Sequence, residues 1–235
     1  DDRYAAIVMD ARTNEVLLED QADEARFPAS LTKMMTLYML FEALESGRAS
    51  KESDIPVSAH AASQPPSKLG VKAGSTISVD TAIRALAVKS ANDVAVAVAE
   101  FLGGTEDQFA SMMTAKARSL GMTSTRFANA SGLHDPRQVT TAFDMAKLGL
   151  ALKRRFPGYF NYFQLRSFSA YGRTINGHNK ALDMIAGADG IKTGYTRASG
   201  FNLVTSVSRS GKLMVAVILG EDSARTRDAR MAAMV

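Results

Sequence analysis

The chain has 235 residues, 46% hydrophobic and 22% charged, which suits one large domain or two small ones with a core of their own. It has no cysteine, which excludes disulfide frameworks, thiolate metal sites and a cysteine nucleophile, and His60, His134 and His178 lack metal-ligand spacing. Net charge is +4 but uneven, with 12 acidic against 6 basic side chains in residues 1–60 and 5 against 13 in residues 151–235. The basic residues are scattered and tryptophan is absent, so no nucleic-acid partner is expected.

Tyr4 to Met9 and Glu15 to Leu18 read as two strands around an Arg12-Thr13-Asn14 turn. Leu31 to Leu44 has apolar residues at helical spacing and stops at Gly47, while prolines and glycines leave 51–79 irregular. Thr81 to Val88 and Asp93 to Leu102 read as helical segments separated by Ser90-Ala91-Asn92. Thr105 to Gln108 looks like a capping box for the next helix, and Thr141 opens another that runs to about Arg155. Strand patterns return at Phe163 to Ala170, Ile191 to Tyr195, Phe201 to Val207 and Leu213 to Leu219, and a last helix starts near Ser223. This order predicts one antiparallel sheet made from both ends of the chain, with a helical insertion between them and a cleft where they meet. No apolar run approaches the ~20 residues of a membrane span, and the opening Asp1-Asp2-Arg3 is no signal peptide.

Three short motifs fall on these elements. Ser30-Leu31-Thr32-Lys33 is S-x-x-K at a helix start, Ser90-Ala91-Asn92 is S-x-N between helical segments, and Lys192-Thr193-Gly194 is K-T-G on a strand. A chain of this length holds about one S-x-x-K by chance. Each motif also has an ordinary structural reading: a capping serine with a solvated lysine, an Asn92 N-cap, an edge-strand glycine beside an exposed lysine. Their order and their separate elements give the set its weight. Residues i and i+3 of a helix share a face, so Lys33 can reach Ser30. A serine hydroxyl needs a base, and lysine serves as one only when neutral, a state favoured by burial and by a second cation such as Lys192. Pro28 at the helix entrance and unpaired N–H groups in the first turn suit a nucleophile beside an electropositive backbone. Ser90 offers a hydroxyl for proton relay and Asn92 a carboxamide for a substrate amide. Lys192 and Thr193 offer charge and hydroxyl to a carboxylate, and Gly194, on the same strand face as Lys192, lets a substrate backbone approach.

Together these motifs resemble the active-site set of the penicillin-recognising serine acyltransferases. The wider stretches Pro28 to Met35, Ser90 to Asp93, Asn129 to Leu133, Asp189 to Thr196 and Gly200 to Leu203 are similar to the low-molecular-mass penicillin-binding proteins. These are the D-alanyl-D-alanine carboxypeptidases of bacterial cell-wall metabolism, and the likeness runs from about Tyr4 to the end. It implies an α/β (α+β) class, β-lactamase/transpeptidase-like fold, an antiparallel sheet flanked by helices with an all-helical insertion lobe. A single catalytic domain would fill 1–235, with a sheet lobe at about 1–50 and 160–235 and a helical lobe at about 51–159. Many relatives continue into a β-rich domain and a membrane-binding helix, and neither is expected within residues 1–235.

The resemblance implies catalytic roles for Ser30 as nucleophile, Lys33 as base and Ser90 as proton relay. It implies substrate binding by Asn92 at the acyl-side amide and by Lys192 and Thr193 at the terminal carboxylate, with Gly194 and Tyr195 also on the substrate-binding strand. The N–H groups of Ser30 and Tyr195 would form the oxyanion hole. The expected substrates are peptidoglycan stem peptides ending in D-Ala-D-Ala, the expected acylating agents β-lactam antibiotics, and neither cofactor nor metal is needed. The expected setting is periplasmic or otherwise extracytoplasmic, as for a secreted, mature form. A DD-endopeptidase or transpeptidase is the near alternative, a β-lactamase would need an added acidic base, and a penicillin-sensing module would acylate without turnover. Many relatives have histidine at Tyr195, arginine near His178 and an acidic residue near His134, which is read here as structural.

Overall fold

The computed structural model describes residues 3–235, so Asp1 and Asp2 lie outside the described residues. Strand β1 (Ala5–Asp10) turns back into β2 (Val16–Asp20) where the Asp10 carboxylate accepts from the N–H groups of Arg12 and Thr13. After a single 3-10 turn (Ala29–Leu31), helix α1 (Thr32–Glu45) runs through the interior. Every residue from Thr32 to Phe41 is buried, which is why its apolar pattern has no clean polar face.

The middle of the chain carries α2 (Ala59–Ala62), α3 (Val79–Arg84), a π turn (Ala85–Lys89), α4 (Asn92–Gly103) and α5 (Glu106–Ser119). Helix α6 (Ala142–Arg155) follows, capped by the Thr141 hydroxyl, as Thr105 caps α5. Two expectations are corrected here. The 51–159 stretch is not all-helical, because β3 (Asp54–Pro56) pairs with β4 (Thr76–Ser78) and sets Ile55 opposite Ile77 in the core. Helix α6 also leaves the helical group and lies on the sheet, where Gly149 comes within reach of Val215, Ile191 and Val204.

A third correction concerns 163–170. Instead of one strand, a 3-10 turn (Phe160–Gln164) precedes a separate hairpin of β5 (Ser167–Ala170) and β6 (Arg173–Asn176). Phe160 and Phe163 are one such turn apart, so their rings share a face, 5.2 Å apart, and Phe163 reaches Phe41 of α1 at 6.1 Å. Aromatic anchoring at that spacing outweighs the strand pattern.

After α7 (Ala181–Met184), the strands β7 (Ala188–Thr196), β8 (Gly200–Arg209) and β9 (Lys212–Glu221) complete an antiparallel sheet in the order β2-β1-β9-β8-β7. Ser210 and Gly211 both take positive φ, the conformation a two-residue hairpin between β8 and β9 requires. Helix α8 (Ala224–Met234), capped by Ser223, covers one face over Ala6, Val8, Ala216 and Ile218. The other face, with Ile7, Val215 and Val217, joins the main core around α1. Both faces of β1 and β9 are therefore buried, which explains the unbroken apolar run of Leu213 to Leu219. Strand β7 lies at the edge, so alternate N–H groups of 188–196 point away from the sheet, toward the cleft under the helices.

Candidate active site

The first motif sits where the chain enters α1. Ala29 is held at φ 49°, a left-handed conformation rare for a residue with a side chain, and it directs Ser30 into a cleft of about 370 Å³. One helical turn on, the Lys33 amine lies 3.0 Å from Ser30 Oγ. It also donates to Asn92 Oδ1 at 2.8 Å and to the Ser131 carbonyl at 2.8 Å. Lys33 is fully buried, and burial first, then the neighbouring Lys192 charge, hold it well below the ordinary lysine range against a smaller opposing pull from Asp93.

The second motif is delivered by the π turn. Its wider coil ends at Ser90 in a left-handed conformation (φ 60°, ψ 46°), from which the hydroxyl projects into the cleft. Asn92 is the first residue of α4 and does not cap it; its Oδ1 accepts from Lys33 and its Nδ2 donates to the Pro65 carbonyl at 2.9 Å. A second N–H and a second lone pair of this carboxamide are still available to a ligand. The next residue, Asp93, is buried and accepts from the N–H groups of Leu69, Gly70, Val71 and Val94, tying the 65–71 loop that borders the cleft to α4.

The third motif lies on β7. Lys192 is 3% exposed and donates to Ser90 Oγ at 3.0 Å and to the Thr193 carbonyl at 2.9 Å. Burial, then the charge of Arg227, bring its amine down to about 7. A Cβ on Gly194 would lie 2.9 Å from Ser30 N and 3.2 Å from Leu31 N. The close approach expected at Gly194 is therefore made first by the backbone of Ser30 and Leu31. Tyr195 is half exposed and packs against Phe201, ring centres 4.2 Å apart.

Of the eight residues singled out in the sequence, Ser30, Ser90, Asn92, Thr193, Gly194 and Tyr195 line one cleft, Lys33 and Lys192 lie buried beside it, and hydrogen bonds link six of the eight in two groups. Ser30, Lys33 and Asn92 form one; Ser90, Lys192 and Thr193 form the other. Sequence reasoning missed Arg227 of α8, which is buried, lines the cleft beside Lys192 and pairs with Asp228 at 3.0 Å. It also missed the Ser131 carbonyl and Gly132, where a Cβ would collide with Ala29 O. Asn202 is a further omission: its buried carboxamide donates to the Phe27 and Pro28 carbonyls and accepts from Gly220 N–H, fixing the approach to Ser30. Gly132 and Asn202 stand in stretches that carried the family resemblance, but nothing local told their roles. His178 is on the cleft rim, where partial burial and then the charges of Lys89 and Lys192 depress its ring below the ordinary histidine range. His134 packs edge-on to Phe27, centres 4.8 Å apart, in keeping with a structural role.

The profile of the D-alanyl-D-alanine carboxypeptidase family matches residues 2–223. A Bacillus subtilis D-alanyl-D-alanine carboxypeptidase is 30% identical over 98% of this chain and 60% of its own length. An Escherichia coli D-alanyl-D-alanine carboxypeptidase is 34% identical over 97% of this chain and 58% of its own. The chain therefore spans about three fifths of the length of these curated relatives. Among solved structures, the Francisella tularensis D-alanyl-D-alanine carboxypeptidase superposes with a TM-score of 0.94 at 31% identity, covering 98% of this chain and 68% of that one. The ampicillin-bound penicillin-binding protein D2 of Listeria monocytogenes superposes with a TM-score of 0.82 at 29% identity, covering 98% and 95%.

Proposed function

We propose that the chain, which belongs to the D-alanyl-D-alanine carboxypeptidase family, releases the terminal D-alanine of peptidoglycan stem peptides through an acyl-enzyme on Ser30. One observation carries this reading: the fully buried Lys33 amine touches Ser30 Oγ while two fixed acceptors take its other bonds. A neutral amine has two N–H bonds and one lone pair. Asn92 Oδ1 and the Ser131 carbonyl engage the two N–H bonds, so the lone pair is aimed at the Ser30 hydroxyl proton. Burial and the Lys192 charge supply the neutral form.

Ser30 Oγ then attacks the carbonyl of the penultimate D-alanine, and its proton moves to Lys33. The oxyanion is received by the backbone N–H groups of Ser30 and Tyr195, at the helix entrance and on the edge strand. Lys33, with Ser90 as relay, returns the proton to the departing nitrogen, and Asn92 holds the acyl-side amide. Lys192 and Thr193 bind the terminal carboxylate, with Gly194 leaving the strand close to the nucleophile. Water completes the cycle on the same base. β-Lactams acylate the same serine, and no carboxylate side chain lines the Ser30 cavity among the described residues, which supports slow release of the penicilloyl group rather than β-lactamase turnover. We assign the enzyme an extracytoplasmic setting, where its substrate is.

The test is intact mass after penicillin treatment together with D-alanine release from a pentapeptide ending in D-Ala-D-Ala. The parent adds one penicillin and releases D-alanine, whereas Ser30→Ala does neither. A Ser30→Ala variant that released D-alanine at the parental rate would end this reading, and acylation without any turnover would instead identify a penicillin sensor.

A further inference from the structure

The Ser131 carbonyl that takes a Lys33 N–H belongs to a loop, 128–133, with no backbone–backbone hydrogen bond among the described residues. An irregular segment packed in the interior must satisfy its peptide groups in another way, and here side chains do it. Gln138, 2% exposed, accepts from the N–H groups of Ala128 at 2.9 Å and Asn129 at 3.2 Å, and donates to Asn129 Oδ1 at 3.1 Å. Asn129 passes the constraint on: its Oδ1 also accepts from Gly132 N–H and its Nδ2 donates to the Leu133 carbonyl, each at 2.9 Å. These bonds hold the two residues that follow Ser131. Ala130, just before it, donates its N–H to the Glu106 carboxylate at 3.3 Å, and its carbonyl accepts from the Thr36 hydroxyl at 2.8 Å. Gly132 is seated against the turn that presents Ser30, since a Cβ there would collide with Ala29 O. Backbone donors and acceptors fix which way both carboxamides point, so neither keeps its bonds if it is turned over.

We propose that the Gln138–Asn129 carboxamide pair is a positioning unit for acylation: it sets the loop so that the Ser131 carbonyl takes one Lys33 N–H and leaves the amine's lone pair aimed at Ser30. This role rests on Lys33 as the base, as proposed above, and adds what holds that base in its working geometry. Gln138 has no hydrogen bond to Ser30, Lys33 or Asn92 among the described residues and does not line the Ser30 cavity. Its effect is therefore transmitted through Asn129 and the loop backbone. A neutral amine with one N–H left without an acceptor turns about its Cε–Nζ bond, and its lone pair faces the Ser30 proton only part of the time. The carbonyl also favours the ammonium over the amine, because a charged donor makes the stronger hydrogen bond. Displacing it has two consequences: the base is aimed less well, and it gives up its proton at lower pH. The charged groups that face Lys33, Lys192 from β7 and Asp93 from α4, stay in place.

The experiment is the second-order rate of penicillin acylation across pH, by intact mass, beside a melting curve and D-alanine release from the pentapeptide. Gln138→Met keeps the side chain's length and adds no charge near Lys33, but removes all three of its bonds. It is expected to slow acylation at least about tenfold. For D-alanine release kcat falls with it while KM stays within about twofold. The acid limb of the acylation profile moves about half a pH unit or more to lower pH, and the alkaline limb, set by Lys192 at about 7, stays. Asn129→Ala releases Gly132 and Leu133 from the other end of the pair and is expected to shift rate and limb alike. The double variant is expected to be no slower than the slower single one, as for two residues acting as a unit. If Gln138→Met does not fold, Asn129→Ala decides by the same two readouts. Thr114→Val is the control: it takes the side-chain partner from Phe127, just before the loop, and lowers Tm without moving rate or limb. Acylation of a folded Gln138→Met or Asn129→Ala protein within about twofold of the parent, with an unmoved acid limb, would overturn the positioning role and leave the carboxypeptidase reading standing. A slower rate with an unmoved limb, shared by Thr114→Val, would overturn it too and reduce the pair to support of the fold. A parent that neither acylates nor releases D-alanine would remove the proposed function itself.

Discussion

Gly194→Ala is the smallest change that tests the geometry of the cleft. The added Cβ would lie 2.9 Å from Ser30 N, 3.2 Å from Leu31 N and 3.4 Å from Ala29 Cβ. Comfortable non-bonded separation is about 3.5 Å, so about half an ångström must come from moving one backbone away from the other. Neither side yields cheaply. Ser30 heads a helix buried over its first ten residues, and Asn202, the partner of Gly194 across the β7–β8 ladder, is itself bonded to the Phe27 and Pro28 carbonyls. A shift of that size at the nucleophile and its N–H donor is expected to slow penicillin acylation about 10²-fold. The same overpacking costs about 1–3 kcal/mol of stability, seen as a Tm loss of about 2–4 °C per kcal/mol in a domain of this size. The assay is the second-order rate of acylation by intact mass, read beside a melting curve. Gly158→Ala, at a position with nothing within 4 Å and no positive φ, is the control and changes neither. Acylation of Gly194→Ala within threefold of the parent, with an unchanged Tm, would refute the claim that the edge strand is braced against the nucleophile's turn.

The Lys192 amine, brought to about 7 by burial and by Arg227, gives a pH dependence of definite sign. Below that pH the cleft holds an ammonium and binds a carboxylate; above it, binding must first take up a proton, so KM for a carboxylate-ended peptide rises about tenfold per pH unit. The same peptide with a C-terminal amide should show no such rise, and parallel profiles for the two would count against Lys192 as the carboxylate site. Arg227→Met leaves Asp228, 3% exposed, as a buried unpaired charge. It should cost about 3–5 kcal/mol in urea unfolding, most of it recovered by Arg227→Met/Asp228→Asn; a single variant as stable as the parent would contradict the burial argument. Asn202→Ala strips partners from the Phe27 and Pro28 carbonyls and from Gly220 N–H and should cost about 3 kcal/mol or more. Acylation by penicillin should slow with it, since those carbonyls fix the chain two and three residues before Ser30; unaltered acylation would separate Asn202 from the site.

How far the sequence reaches follows from where each contact is made. Ser30 and Lys33 are one helical turn apart, so periodicity alone places them together, and K-T-G lies on a strand whose alternation fixes its face. What holds the Lys33 amine in place is tertiary: Asn92 Oδ1 comes from another helix and the Ser131 carbonyl from a loop, and a backbone oxygen leaves no mark in the residue pattern. Arg227 is carried to Lys192 by α8 packing on the sheet, 35 residues along the chain, and its place in the C-terminal helix looks locally like any other surface arginine. In the 160–187 segment a strand-like composition hides the Phe160 and Phe163 anchors that pin it to the core. That same pinning leaves Leu165, Asn179 and Leu182 standing off β7 as the wall of a cavity beside Lys192. Ser30 and Lys33 are thus placed by local periodicity, whereas the walls of the cavity beside Lys192 are set by long-range packing. Changes in 160–187 can therefore reshape that cavity while the Ser30–Lys33 pair at the start of α1 stays in place.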